Sequence, residues 1–351
     1  MPSNPASAES VDLEDLKAAI GIVARGQTLT QEQAANAFEQ IMSGAASDAQ
    51  IGALLLGLHA RGETVDEIAG AARTLRAKAV SVRAPEGAID TCGTGGDAKG
   101  THNISTCVAF VVAGAGVPVA KHGNRSISSR SGSADVLAAL GVNLESGPEI
   151  IERCIAQCGL GFMFAPSHHA AMRHVGKVRR ELGVRTIFNL LGPLANPAAT
   201  KYQIVGVFEE KWVEPIANVL GILGVERAWV VHGADGLDEL TTTTVSHVAA
   251  LDAGKVSMFR ISPRNAGVAE AKPEDLIGGD AVDNAAHIRA VLHGNRGPFR
   301  DIVLLNAGAA LLVAGKAKTL RDGVALAAES IDKGKAHKVL ESLVQLSHEK
   351  V

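Results

Sequence analysis

Aromatic side chains are scarce in this 351-residue chain, which holds eight Phe, two Trp and one Tyr. So few rings leave little with which to stack nucleobases. A formal charge of −3, from 34 Lys and Arg against 37 Asp and Glu, gives no polybasic footprint either. Binding to nucleic acid or to an anionic membrane surface is therefore not expected. Long apolar runs are also missing. The longest, residues 107–120 and 302–315, are 14 residues each, are interrupted by Gly, Pro or Asn, and fall short of a membrane span. The N-terminal MPSNPASAESVDLEDL has no basic segment followed by an apolar one, so no secretory signal is expected. Four cysteines do not make a disulfide framework in a chain of this size. Cys154 and Cys158 share a helical face, but a metal needs two further ligands and no second cysteine pair is present. Buried, reduced thiols in a cytoplasmic protein are the expectation.

What is abundant is glycine, 38 residues in a chain that is 46% hydrophobic and only 20% charged. That mixture argues against wholesale disorder and for many tight turns, some of which let backbone approach a ligand. The first eighty residues read as four short helices, the first over residues 13–24. Thr30 with Gln33, Ser47 with Gln50 and Thr64 with Glu67 each form a capping box, in which a hydroxyl and an N3 side chain satisfy each other's amides. Gly44 and Gly62 stand where two of these helices end. From Ile89 onward the pattern changes to short apolar runs, at 89–92, 117–120, 161–165, 202–208 and 228–232. Helical stretches lie between them at 105–114, 134–140, 149–158, 170–182 and 211–223. Alternation of this kind predicts βαβ units and a largely parallel sheet covered on both faces. A two-stranded excursion follows over 245–250 and 255–261, and helices dominate from Asp280 onward.

Three clusters carry chemistry. The first predicted strand runs into Gly93-Thr94-Gly95-Gly96-Asp97, with a helix starting near Ser105. A strand, a glycine turn and a helix N-terminus make an anion site, because unpaired amides and the positive end of the helix dipole face the ligand. A dinucleotide fingerprint does not fit, since Asp97-Ala98-Lys99 continues a loop and no acid follows about twenty residues on. A P-loop lysine motif is absent. The Asp97 carboxylate repels phosphate unless a metal or a ribose hydroxyl intervenes, which points to a phosphorylated sugar. The second cluster is Lys121-His122-Gly123-Asn124-Arg125-Ser126-Ile127-Ser128-Ser129, read as a loop leaving the strand at 117–120. It offers a compact cation, a bidentate guanidinium and several neutral donors. A solvated basic loop is the lesser alternative, and two such loops at strand C-termini are where ligands collect in open α/β sheets. The third is Asp238-Glu239, after the strand at 228–232. An acidic pair in a loop suits Mg²⁺ shared with substrate oxygens and water.

Together, GTGGD, Asn103-Ile104-Ser105-Thr106, KHGNRS, SGSADVL, GLDEL and the run Arg179-Arg180-Glu181-Leu182-Gly183 through Arg185-Thr186-Ile187-Phe188-Asn189-Leu190-Leu191-Gly192-Pro193-Leu194 resemble the anthranilate phosphoribosyltransferases of tryptophan biosynthesis. The resemblance spans nearly the whole chain, in order. It implies a nucleoside-phosphorylase-like phosphoribosyltransferase fold. A small all-helical domain, residues 1–84, is joined by helices around 170–191, and a larger α/β domain with a mostly parallel central sheet covers 85–351. It implies a homodimer, transfer of phosphoribosyl from 5-phosphoribosyl 1-pyrophosphate to anthranilate, and dependence on Mg²⁺. Association with anthranilate synthase stays open.

By the same resemblance Gly93, Gly96, Asp97, Thr101, Asn103, Ile104, Ser105 and Thr106 bind phosphoribosyl pyrophosphate. Lys121, His122, Gly123, Asn124, Arg125, Ser126, Ile127, Ser128, Ser129 and Ser133 complete that pocket. Gly93, His122, Asn124 and Arg179 contact anthranilate, Arg179 suiting its carboxylate, and Ser105, Asp238 and Glu239 hold the metal. One departure is Ala170, where the family usually has Pro after the His pair, so the roles of His168 and His169 are left open. The aniline nitrogen of anthranilate is already neutral at pH 7, so no indispensable acid–base residue is expected. The rival readings are a pyrimidine nucleoside phosphorylase of the same architecture, which lacks an acidic metal pair, and a non-catalytic phosphosugar-binding paralogue.

Overall fold

The computed structural model describes residues 16–126 and 130–350. Four helices open it: α1 (Leu16–Ala24), α2 (Gln31–Ser43), α3 (Asp48–Arg61) and α4 (Val65–Ala77). The expected start of the first helix at residue 13 lies outside the described residues. All three capping boxes form, and Gly44 closes α2 in the left-handed region at φ 81°. Glu67 does more than cap. Its carboxylate is fully buried and also accepts from the Leu29 amide at 2.8 Å and from Arg61, stapling the α1–α2 connection to the start of α4.

The strands β1 (Ile89–Gly93), β2 (Val119–Gly123), β3 (Leu160–Phe164), β4 (Tyr202–Gly206), β5 (Arg227–Gly233), β6 (Ser246–Asp252) and β7 (Lys255–Ile261) form one sheet in the order β3-β2-β1-β4-β5-β6-β7. The first five are parallel, and β6 and β7 are the antiparallel excursion. Strands β1 to β4 are buried at nearly every position, as a sheet covered on both faces requires. The chain lays β2 and β3 to one side of β1 and then returns to place β4 on the other. The crevice at the C-terminal ends of β1 and β4 is therefore the topological switch point, where ligands bind in such sheets.

β4 ends at Gly206 rather than at 208, and β2 departs furthest from expectation. β2 begins at Val119 rather than at 117 and continues through Gly123, so Lys121 and His122 are strand residues rather than loop residues. Pro118 has no amide to donate, and its carbonyl serves only to accept from Ile89. The ladder starts beyond it and pairs Lys121 with Phe162 and His122 with Met163. Two expected helices also begin as 3₁₀ turns, at Ala170–Met172 and Glu210–Trp212.

Two large apolar cores flank the sheet. One packs helix α5 (Ile104–Gly114) with the C-terminal helices Pro298–Val313 and Lys335–Ser347. The other joins α1–α4 to Val175, Val178, Ile187 and Phe188 and to the inward residues of β4 and β5. A small helical unit thus sits on one flank of a larger α/β domain. Among the described residues no helix is long and apolar enough to cross a membrane.

Candidate active site

The glycine turn after β1 lies at the switch point and is tied down on both sides. Thr94 donates its amide to Gly206 O at 2.9 Å, and its hydroxyl accepts from the Phe208 amide at 3.1 Å. Arg185 donates to Gly96 O, lies 4.3 Å over the Phe208 ring and pairs with Glu209 at 3.1 Å.

The acidic pair reaches the same point from the loop after β5. Asp235 shapes that loop by accepting from the Leu237 amide and from the hydroxyls of Thr241 and Thr243. Asn306, buried on helix Pro298–Val313, grips the next residue along. It accepts from the Leu240 amide at 3.0 Å and donates to the Leu240 carbonyl at 2.8 Å. Asp238 then lies so close to β1 and β4 that only glycine fits beside it. A Cβ on Gly206 would stand 1.4 Å from Asp238 O, and one on Gly93 would stand 2.7 Å from Asp238 Oδ2. The Gly95 amide donates to Asp238 Oδ2 at 2.7 Å.

The electrostatics of this corner ask for a cation. Burial, and then the facing charge of Asp97, push the Asp238 carboxyl up to about 7. Burial and Asp238 push Glu239 well above the usual carboxylate range. Among the described residues no group of three His, Cys, Asp or Glu side chains is arranged to hold a metal alone. Two under-neutralised carboxylates with open positions are instead the oxygen-donor set of Mg²⁺ completed by substrate and water, so the residues fit that ion.

Across from the acids, Lys121 is buried. Its ammonium donates to Thr91 O and to Ser105 Oγ, the latter at 3.4 Å. Asp90 is its counter-charge, fully buried and held by the His122 amide at 3.3 Å and by Asn196 at 2.7 Å. Burial drives the Asp90 carboxyl up and the Lys121 ammonium down, and each opposes the other's shift. The lysine is thus a fixed charge on a strand, not a mobile loop cation. Arg125 is also engaged, paired with Asp135 at 2.9 Å, while the other Asp135 oxygen accepts from the Ser126 and Gly132 amides. Thr106 lines the cleft, and its buried Oγ1 has no partner among the described residues. Ile127, Ser128 and Ser129 lie outside the described residues.

The far end of the cleft is built from helix Arg173–Leu182 and the segment before it. Arg179 sits 5.3 Å over the Phe188 ring. The two adjacent histidines part company. His168 turns inward, with Nδ1 2.7 Å from Val80 O, whereas His169 lines the cleft edge-on to His122, ring centroids 5.1 Å apart. Burial, and then the neighbouring imidazoles, push His122 down to about 3 and His169 to about 4. Both are neutral at pH 7, and His122 Nε2 and both His169 nitrogens make no full hydrogen bond among the described residues. Every described residue of the candidate set lines this one cleft of about 810 Å³.

Residues 85–337 match the glycosyl transferase family α/β domain, and residues 17–79 match the same family's helical bundle domain. An anthranilate phosphoribosyltransferase from Chelativorans sp. (strain BNC1) is 60% identical over 338 residues, covering 96% of this chain and 100% of its own. The chain belongs to the anthranilate phosphoribosyltransferase family. The family member from Azorhizobium caulinodans is 57% identical, over 95% of this chain and 97% of its own. The crystal structure of anthranilate phosphoribosyltransferase from Thermus thermophilus superposes with a TM-score of 0.90 at 44% identity, covering 94% of this chain and 99% of that one. The Saccharomyces cerevisiae anthranilate phosphoribosyltransferase in complex with PRPP and Mg superposes with a TM-score of 0.86 at 25% identity, covering 95% and 97%.

Several residues that shape the cleft of this anthranilate phosphoribosyltransferase family member escaped sequence reasoning. Gly206 looks like any strand-ending glycine until Asp238 is packed on it. Asn306 did leave a signal, as a lone amide inside a 14-residue apolar run, where burial obliges it to find partners. Asp135, on helix Ser133–Ala139, caps that helix and holds Arg125, and Asp235 bonds only within the loop after β5; neither role was read from the sequence.

Proposed function

We infer that this chain transfers the phosphoribosyl group of 5-phosphoribosyl 1-pyrophosphate to the amino group of anthranilate, giving N-(5-phosphoribosyl)anthranilate and pyrophosphate in tryptophan biosynthesis. The observation that carries this reading is the single cleft that joins a glycine turn, an under-neutralised acidic pair and, at its other end, two neutral imidazoles beside a guanidinium. The activity named for its relatives and the PRPP and Mg bound by the yeast protein agree with it. The acidic pair and these relatives do not favour a pyrimidine nucleoside phosphorylase.

In this reading Asp238, Glu239 and the Ser105 hydroxyl hold Mg²⁺ together with substrate oxygens. The chemistry a bound Mg²⁺ supplies is neutralisation of charge on the departing pyrophosphate. Gly93, Gly96, Asp97, Thr101, residues 103–106, residues 121–129 and Ser133 hold the phosphorylated sugar. Lys121, locked by Thr91 and Asp90, adds a positive charge that needs no reorganisation during reaction. Arg179 pairs with the anthranilate carboxylate. His122, Asn124 and Gly93 surround the ring and its amino group. A His122 imidazole held near 3 is too weak a base to be needed, and the acidic arylammonium formed on attack loses its proton to water. Rate then comes mainly from placing the two substrates against each other.

A homodimer in the cytoplasm, open to association with anthranilate synthase, belongs to the same reading. So does division into residues 1–84 with helices around 170–191, and residues 85–351. The separate matches of 17–79 and 85–337 support that division.

The test is the loss of anthranilate fluorescence on incubation with the purified protein, omitting one component at a time. Loss only when 5-phosphoribosyl 1-pyrophosphate and Mg²⁺ are both present is expected. No loss with both present, or phosphorolysis of a pyrimidine nucleoside instead, refutes the assignment.

A further inference from the structure

We propose that Asn284 is a positioning residue for this reaction, one that sets which way the Asn103 carboxamide faces in the phosphoribosyl pyrophosphate pocket. The proposal rests on the reading of Asn103 as a ligand of that substrate. Asn284 lies on helix Ala281–Leu292, is buried, and touches the cleft only through others. Its amide nitrogen donates to Asn103 Oδ1 at 2.9 Å, and its oxygen accepts from the Gly279 amide at 2.9 Å. Asn103 in turn donates its own amide nitrogen to Ser131 O at 3.1 Å.

Polarity is defined at every link of this chain. Ser131 O and the Gly279 amide are main-chain groups that can only accept and only donate. Between them the two carboxamides have one arrangement that satisfies both ends. A carboxamide turned half a revolution about its last bond has nearly the same shape, so hydrogen bonding alone selects the orientation. Asn103 also occupies the N-cap of α5, a position where Asn usually accepts from the helix's first amides. Here its side chain makes no cap bond, because Ser131 and Asn284 engage it instead. The same segment straps the loop that carries Asn103. Thr101 forms a β-bridge with Ile277, the His102 amide donates to Leu276 O at 3.1 Å, and the Gly278 amide donates to Gly100 O at 2.9 Å. Gly278 must be glycine for this contact, since a Cβ would stand 2.7 Å from Thr101 O and 2.8 Å from Asn284 Oδ1. Gly279 itself lines the cleft.

Four variants test this: Asn284→Asp, Asn284→Ala, Asn103→Ala and the Asn103→Ala/Asn284→Ala double variant. Asn284→Asp matches the native side chain in size, keeps the acceptor for the Gly279 amide and replaces the amide that donates to Asn103, and at 3.4 Å to Gly279 O, by a second acceptor, so it is the decisive one if Asn284→Ala does not fold. The expected result is a KM for 5-phosphoribosyl 1-pyrophosphate raised about tenfold in Asn284→Asp, the loss of one oriented hydrogen bond, with the KM for anthranilate unchanged. The double variant should be no worse than Asn103→Ala, because Asn284 acts through Asn103. A raised KM in Asn103→Ala with Asn284→Asp at the wild-type value overturns the role of Asn284 alone, as do effects that multiply in the double variant. A wild-type KM in Asn103→Ala overturns the ligand reading of Asn103 and this proposal with it.

Discussion

Replacing Gly206 by Ala puts a methyl carbon 1.4 Å from the main-chain oxygen of Asp238, where ordinary contact needs at least 3.4 Å. The obstacle is backbone, so no rotamer relieves it and the loop after β5 must retreat by about 2 Å. That loop is held by Asn306 on both polar groups of Leu240 and by the three bonds to Asp235. Retreat therefore strains or breaks some of them, at about 1–3 kcal/mol for the overpacking and about 1 kcal/mol for each bond lost. The functional cost is larger. A displacement of about 1 Å in a positioned group lowers rate about 10²-fold, and here both carboxylates proposed to hold the metal move farther than that. The value of kcat/KM should fall by at least about 10², with a higher Mg²⁺ requirement and a modest fall in Tm. Gly93→Ala is the graded comparison. Its Cβ meets only the end of the Asp238 side chain at 2.7 Å, which can rotate away at the expense of the bond from Gly95. That bond alone accounts for about tenfold, and moving a carboxylate proposed to hold the metal makes this a lower bound. Gly147→Ala, with nothing within 4 Å of the added carbon, is the control. Steady-state anthranilate fluorescence across a Mg²⁺ series reads all three. Gly206→Ala with wild-type kcat/KM, or less damaged than Gly93→Ala, refutes the reasoning.

Other outcomes follow from the same geometry. Asp238→Asn combined with Glu239→Gln should lower turnover by about 10³ or more, whereas His122→Ala should cost less than about tenfold; a collapse of kcat in His122→Ala with substrate binding intact would make that imidazole a required base. His102, buried against Phe299 and edge-on to His287, is held down to about 4 by burial and then by His287. The unfolded chain takes up that proton near 6.5 and the native chain does not, so stability rises with pH between about 4 and 6.5. That stability is lost on acidification through the window, and His102→Phe should shrink the drop in urea midpoint between pH 7 and pH 4.5. Asn306→Leu leaves the amide and carbonyl of Leu240 buried without their partner, so unfolding in urea should show a loss of about 2–4 kcal/mol. A wild-type midpoint in that variant means that Leu240 finds other partners.

Local features were legible in the sequence and distant ones were not. The three capping boxes are pairs three residues apart, so Thr30, Ser47 and Thr64 announced their helices without help from the fold. The parallel strands were visible because burial on both faces makes them largely apolar, although β1 buries Asp90 and Thr91 and β4 buries Gln203. β2 was misread at the point where that rule fails. Lys121 and His122 are polar residues buried in a strand, stabilised by Asp90, Thr91 and Asn196, which the sequence cannot show beside them. The glycine turn and the acidic pair were legible as chemistry, but their meeting was not. It depends on Gly206 and on Asn306, whose partner is 66 residues away. The His pair at 168 and 169 was left undivided because only the backbone turn between β3 and helix Arg173–Leu182 sends one ring to Val80 and the other into the cleft.

A crystal structure of the protein with 5-phosphoribosyl 1-pyrophosphate and Mg²⁺ tests the central claim most directly. The expected result is diphosphate density between the N-terminus of α5 and β2, with Asp238 and Glu239 facing it across the metal. Diphosphate density away from both the 103–106 and 121–129 segments, or an ordered Mg²⁺ that neither carboxylate touches, contradicts it.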